Sequence, residues 1–211
     1  MAETPQQISH PRLGWIGNFL ADFWVHRNDS LRLSGLGSMG LGMATNLQKY
    51  LSSLGATSLL YHNRTMDRGI PLREIGGIPA SSISGLVQDS DIIFISLSDD
   101  NALQAVVNEM VNQSEERELL RGKIVVDTST VHPSSSSKIS RQLAVHGGAR
   151  FIAAPVFGAS PVAQQGKLLW ILAGEDDAVK QIKPYIIGVM GRDIIQLGDD
   201  VEQASLLKTA G

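Results

Sequence analysis

Cysteine is absent from the sequence, and this absence excludes several kinds of chemistry. A chain of 211 residues without cysteine has no disulfide, no thiolate nucleophile and no cysteine-ligated zinc. Its five histidines stand in neither HxxxH nor HxH spacing, which are common arrangements of metal ligands. We therefore expect no metal site.

Long apolar runs are also missing from the sequence. No apolar segment approaches the length that crosses a bilayer, and residues 1–11 form a polar tail that does not resemble a signal sequence. We expect a cytoplasmic protein with no membrane partner.

Neither sign of charge is in large excess. The 18 basic and 21 acidic residues give a formal net charge of -3, so no broad positive field attracts nucleic acid, and we expect no nucleic-acid partner. Any specificity for phosphate must be local. The apolar content of 43% is typical of a globular protein, and the length allows one large α/β domain or one domain plus a fragment.

A glycine-rich turn is the most informative feature that the sequence does contain. Gly35, Gly37 and Gly40 form a GxGxxG pattern with Ser38 and Met39 between the last two, and a helical apolar pattern follows. In a dinucleotide site the first glycine makes a tight turn, the second lets the backbone approach the pyrophosphate, and the third lets the helix pack closely on the strand. The pattern predicts that these five residues bind the phosphates of a cofactor at a helix N-terminus.

The residues after the next strand indicate which cofactor is bound. An apolar run over 59–62 ends at Asn63, Arg64 and Thr65, where this type of fold contacts the adenosine ribose. A carboxylate there would pair with the 2'-hydroxyl of NAD, whereas a guanidinium binds a 2'-phosphate. We therefore expect these residues to bind NADP in preference to NAD. The alternative is that Arg64 is an ordinary solvated surface arginine.

Strands and helices alternate along the rest of the chain. This alternation predicts an α/β fold with a Rossmann-type, doubly wound, mostly parallel sheet. The predicted strands are 91–97, 123–126, 151–155, 168–172 and 193–197. The predicted helices are 101–111, 132–143, 176–187, interrupted or ended near Pro184, and a last one that begins at Val201.

Taken in order, the glycine turn, the Asn63-Arg64-Thr65 segment, the strand ending at Leu97 and the loop of residues 127–130 resemble the beta-hydroxyacid dehydrogenase family. That family includes 3-hydroxyisobutyrate, tartronate semialdehyde and 6-phosphogluconate dehydrogenases. The resemblance covers residues 12–17 and 35–211. It implies NAD(P)-dependent oxidation of a small 3-hydroxy acid, with Lys208 as the general acid/base of the family's GxxxKxxxN helix.

The resemblance also assigns the other site residues. It implies that Leu97, Ser98 and Asn101 lie beside the nicotinamide ribose, that Thr130 binds the cofactor, and that Ser129 and Gly158 bind substrate. Two positions depart from the family pattern, because Phe157 replaces a serine expected to hold the substrate carboxylate and Ala204 replaces the glycine of the lysine motif.

The resemblance further implies an organisation into domains. We expect a polar tail over 1–11, an NAD(P)-binding domain over 12–200 and the start of an interdomain helix over 201–211. The all-helical second domain of the family is expected to be missing, so that a dimer forms only if that domain is supplied.

Residues 18–35 interrupt the expected first strand and glycine turn. Deleting them restores an unbroken RLGWIGLGSMG, and we hypothesise that they come from a translated intron or a splice variant. Either residues 13–16 form the central strand, or residues 31–34 replace them and bring Arg32 into the sheet. The first arrangement is favoured, because a long surface insertion costs less than a buried charge.

Two functions from different classes remain compatible with the sequence. The first is a truncated, NADP-dependent hydroxyacid dehydrogenase that is weakly active or inactive, and the second is a non-catalytic NADP-binding or interaction module. A short-chain dehydrogenase is a weaker alternative, because none of Tyr50, Tyr61 and Tyr185 has a lysine four residues later. A kinase-type nucleotide site is not supported either, because no GxxxxGK[ST] occurs.

Overall fold

The computed structural model describes residues 10–17, 36–112 and 119–211. The hypothesised insertion 18–35, which includes Gly35 of the glycine turn, lies outside the described residues, as does nearly all of the polar tail.

The main feature of the fold is a six-stranded sheet in which every neighbouring pair of strands is parallel. Its strand order is β3-β2-β1-β4-β5-β6, the order of dinucleotide-binding Rossmann domains. The strands are β1 (Leu13–Gly17), β2 (Leu60–Asn63), β3 (Ile78–Pro79), β4 (Ile92–Ser96), β5 (Ile124–Asp127) and β6 (Arg150–Ala153). The predicted fold class is therefore confirmed.

A second, three-stranded sheet follows in the chain. β8 (Leu168–Leu172) lies between β7 (Val156–Phe157), with which it is antiparallel, and β9 (Gly191–Gln196), with which it is parallel. A bridge between Ala153 and Ala173 connects the two sheets. The alternation of elements predicted β8 and β9, but neither β7 nor the separation of these strands into a second sheet.

The helices pack on both faces of the main sheet. They are α1 (Leu36–Ser53), a 3-10 helix (Met66–Gly69), α2 (Ile70–Glu74), α3 (Ile83–Gln88), α4 (Asp100–Asn112), α5 (Pro133–Gly147), α6 (Ser160–Gln164), α7 (Asp176–Ile186) and α8 (Glu202–Ala210). α7 continues through Pro184 for two residues, so the expected ending near this proline is met only approximately. Among the described residues, no helix has both the length and the apolar character that a membrane span requires.

The central strand is formed by the first of the two segments considered above. β1 pairs with β2 on one side and with β4 on the other, and all five of its residues are buried. Trp15 stacks on Phe94 of β4 with the ring centroids 5.6 Å apart. The apolar segment thus takes the most buried place in the sheet, and the competing residues 31–34 lie outside the described residues.

Alternate residues of each strand contribute to two cores. Phe94 joins a core with Met43 of α1 and Trp170 of β8, whereas Ile95 joins a second core with Leu103 of α4. Strands that are buried on both faces read as continuous apolar runs, which is why these strands could be recognised in the sequence.

Candidate functional site

A cavity opens at the carboxyl edge of the main sheet, where the strand order reverses between β1 and β4. It has a volume of about 230 Å³ and is bounded by Gly17 at the end of β1, Arg64 after β2 and Leu97 after β4. One wall is the helix α4, through Ala102, Ala105, Val106 and Glu109. Open α/β sheets bind ligands at this place, because the loops on either side diverge there.

The segment after β2 brings Arg64 to the cavity. Asn63 is buried, and its side-chain amide donates a hydrogen bond to the Thr65 carbonyl oxygen, which fixes the turn. Thr65 is exposed and precedes the 3-10 helix. Arg64 therefore belongs to a short turn that is held by a hydrogen bond. The side chain of Asn63 makes this bond to the backbone.

The glycine turn leads into the first turn of α1. Gly37, Ser38, Met39 and Gly40 all belong to α1. The Ser38 hydroxyl is hydrogen-bonded to the Ser160 hydroxyl at the start of α6, and Met39 packs against the core. The Ser38 side chain thus connects two helices.

Residues at the ends of β4 and β5 are joined by a chain of hydrogen bonds. The Leu97 N–H donates to Ser129 Oγ at 2.9 Å, and the Ser129 N–H donates to Asp127 Oδ1 at 3.0 Å. Ser129 is only 2% exposed. Its hydroxyl, assigned to substrate by resemblance, is therefore already bonded within the protein.

The other residues assigned near the nicotinamide are less buried. The Ser98 hydroxyl donates to Asp99 Oδ2 at 2.6 Å, while Asn101 in the first turn of α4 and Thr130 after β5 are exposed. These last two side chains are accessible to a ligand at the carboxyl edge of the sheet.

Asp127 also lies at this edge, although it was not among the site residues expected from the sequence. It is the last residue of β5, and burial raises the pKa of its carboxyl group to about 6, although the hydroxyl and N–H of Ser129 act to lower it. The available signal was a carboxylate directly after the apolar residues 124–126.

Lys208 and Phe157 are brought together by the packing of α8. The Lys208 Nζ lies 4.6 Å from the centroid of the Phe157 ring, within the range of a cation–π interaction. The Ser205 hydroxyl of α8 meets the Ser136 hydroxyl of α5 at 2.7 Å, and Ala204 is fully buried. The packing of α8 thus has room for the methyl group of Ala204, where the family has glycine.

Gly158 follows Phe157 with a φ of +139°, and a Cβ atom there would lie 2.6 Å from Leu168 Cδ2. The backbone conformation therefore favours glycine at this place, and a larger residue would also force the end of the Leu168 side chain to shift.

Comparison with known families identifies the domain. Residues 30–198 match the family model of the NAD binding domain of 6-phosphogluconate dehydrogenase. The chain belongs to this family. It is accordingly a pyridine-nucleotide-binding domain of the hydroxyacid dehydrogenase type, as the resemblance implied.

Relatives of known activity support this membership. An NADH-dependent oxidoreductase of Aspergillus ustus is 33% identical over 175 residues, which are 82% of this chain and 56% of the relative. The 2-hydroxy-3-oxopropionate reductase of Escherichia coli (strain K12) is 29% identical, over 78% of this chain and 53% of the enzyme. The chain thus spans about half the length of these curated relatives.

The fold is also that of solved enzymes. The reductive aminase of Aspergillus terreus, in complex with NADPH and ethyl-5-oxohexanoate, matches 96% of this chain and 60% of its own length. The TM-score is 0.72 at 22% sequence identity, a likeness that concerns the fold alone.

Proposed function

We propose that this chain binds NADP, with Arg64 contacting the 2'-phosphate, and that it is the cofactor domain of a dehydrogenase for small hydroxy acids. The observation that carries the proposal is the position of Arg64 on the wall of the cavity beyond β2. A guanidinium there offers charge-assisted hydrogen bonds to a phosphate. We also propose a cofactor domain over 12–200, followed by the start of an interdomain helix over 201–211. The same proposal includes a cytoplasmic location and a dimer that depends on a further helical domain.

The cavity suits the adenosine end of the cofactor. Its walls include Ile16, Leu97 and Val106, which present apolar surface to a flat base. A volume of about 230 Å³ holds one nucleoside rather than a whole dinucleotide. The rest of the cofactor would extend along the first turn of α1 and past Asn101 and Thr130.

The chemical role of the chain's own residues centres on Lys208. When bound, NADP supplies the acceptor for a hydride from the substrate carbon. The Lys208 amine would take the proton of the substrate hydroxyl, and the ring of Phe157 would stabilise the resulting ammonium. Because this chain covers only 56% and 53% of the two relatives described above, we propose that on its own it turns over substrate weakly or not at all.

The test of cofactor preference is a fluorescence titration with NADPH and with NADH. We expect NADPH to bind more tightly, and Arg64→Gln to weaken NADPH binding by about 10- to 100-fold, because one charge-assisted interaction is lost. Binding of NADH should change by less than about twofold, since NADH has no 2'-phosphate.

Arg73→Gln is the matched control. Arg73 is an exposed residue of α2, so this variant makes the same change in net charge outside the cavity. Equal losses of NADPH affinity in the two variants, or tighter binding of NADH by the wild type, would show that Arg64 does not select the cofactor.

A second candidate is a non-catalytic NADP-binding module, which the internal bonding of the buried Ser129 hydroxyl favours. An assay with small 3-hydroxy acids separates the two. NADPH binding without turnover supports the module, and turnover that is lost in Lys208→Ala supports the enzyme.

A further inference from the structure

A chain of hydrogen bonds connects Asp127, Ser129 and Leu97, and the inference drawn from it rests on the proposed cofactor site. Leu97 forms part of the cavity wall, and its N–H is held by Ser129 Oγ at 2.9 Å. Ser129 is in turn held by Asp127, through an N–H to Oδ1 bond of 3.0 Å. Two buried polar residues behind the cavity wall thus fix its position.

We infer that Asp127 and Ser129 are positioning residues, which hold the end of β4 in the conformation that binds the cofactor and do so best when Asp127 is ionised. An ionised carboxylate accepts both the N–H and the O–H of Ser129. The lone pairs of Ser129 Oγ then face the Leu97 N–H, and the two hydrogen bonds reinforce each other.

Protonation of Asp127 weakens this arrangement. A neutral carboxyl group is a poorer acceptor, and its own proton competes for Ser129 Oγ. The pKa of Asp127, raised to about 6 by burial, places this change close to neutral pH. Cofactor affinity should therefore fall as the pH drops through about 6, since the form that holds Leu97 firmly is lost on protonation.

Other titratable groups lie near this chain of hydrogen bonds and can add a pH dependence of their own to the measured affinity. Asp100, at the start of α4, acts on Asp127 through space and favours its neutral form. His62 and Glu109 line the same cavity as Leu97. The pH dependence is therefore judged as a difference between the wild type and Asp127→Asn, in which these three groups and the cofactor's own phosphate are unchanged.

The first test measures the dissociation constant of NADPH from pH 5 to pH 8. We expect Ser129→Ala to weaken binding by about tenfold at pH 7.5, the size of one lost hydrogen bond. Asp127→Asn should remove a pH dependence of several-fold that the wild type shows around pH 6. The double variant should bind no worse than Ser129→Ala, because Asp127 acts through Ser129.

Thr128→Val is the matched control for general damage to the loop. The Thr128 hydroxyl is also buried and donates to the Ile95 carbonyl at 2.9 Å, but it is not bonded to Leu97. This variant should lower thermal stability and leave the pH profile of affinity unchanged. Wild-type affinity in folded Ser129→Ala, or the same loss in Thr128→Val, would overturn the inference.

A second measurement does not depend on cofactor binding. In the unliganded protein, the amide proton of Leu97 should change its NMR chemical shift as Asp127 titrates, and this change should vanish in Asp127→Asn and in Ser129→Ala. A Leu97 resonance that is constant from pH 5 to pH 7.5 in the wild type would refute the inference. If the resonance titrates but no NADPH binds, the proposed function fails and the connection between the three residues stands.

Discussion

At the scale of single residues, Gly166 is a position where both the backbone and the packing require glycine. Its φ is +66°, and a Cβ atom there would overlap the carbonyl oxygen of Val189. We predict that Gly166→Ala lowers the free energy of unfolding by about 3 kcal/mol or more, since a rigid carbonyl cannot move aside as a side chain can. Urea unfolding measures the loss.

Gly55→Ala isolates the backbone part of this cost. Gly55 has a similar φ of +62°, but an added Cβ would have nothing within 4 Å. This variant should lose only about 1 kcal/mol. Equal losses in the two variants would show that the contact with Val189 contributes nothing.

The residue scale also shows what could be predicted of the site. The position of Arg64 at the carboxyl edge of the sheet could be predicted, because Arg64 directly follows a recognisable strand; its contact with a cofactor stays a prediction. The bond from Leu97 to Ser129 could not be predicted, because the two residues are 32 positions apart and meet only where two neighbouring strands end side by side.

At the scale of elements, the docking of α8 decides where Lys208 lies. The hydroxyls of Ser136 and Ser205 meet in a buried contact between α5 and α8. We predict that Ser136→Ala and Ser205→Ala each cost about 1–2 kcal/mol, because each leaves the other hydroxyl buried without this partner. The double variant should cost less than the sum of the two, and a double-mutant cycle by urea unfolding measures the difference.

Ser137→Ala provides the reference for a serine of α5 that is not fully buried. It should change the free energy of unfolding by less than about 0.5 kcal/mol. Strict additivity of the Ser136 and Ser205 variants would mean that the two hydroxyls do not hold the helices together.

Prediction at this scale was more successful for the main sheet than for the second one. The segment Leu13–Gly17 could be favoured as the central strand because it contains no charge, and the structure places it there. The antiparallel pairing of β7 with β8 was not predicted, since it results from the reversal of the chain through α6 rather than from any local pattern.

At the scale of the whole molecule, the two sheets share one core. Trp170 of β8 meets the ring of Phe94 of β4 edge-on at 6.4 Å, and both belong to the same buried cluster as Trp15. Because the sheets bury the same apolar surface, we expect them to unfold in a single transition. A ligand at the edge of the main sheet should then stabilise β8 and β9 as well.

Native-state hydrogen exchange tests this expectation. At an NADPH concentration about 100 times its dissociation constant, the free energy of unfolding should rise by about 2.7 kcal/mol, and the melting temperature by about 5–10 °C. Slowly exchanging amides in β4 and in β8 should gain protection by the same amount, although β4 ends near the cavity and β8 does not. If protection rises in β4 alone, the second sheet opens independently, and the contact between Trp170 and Phe94 does not couple the two sheets.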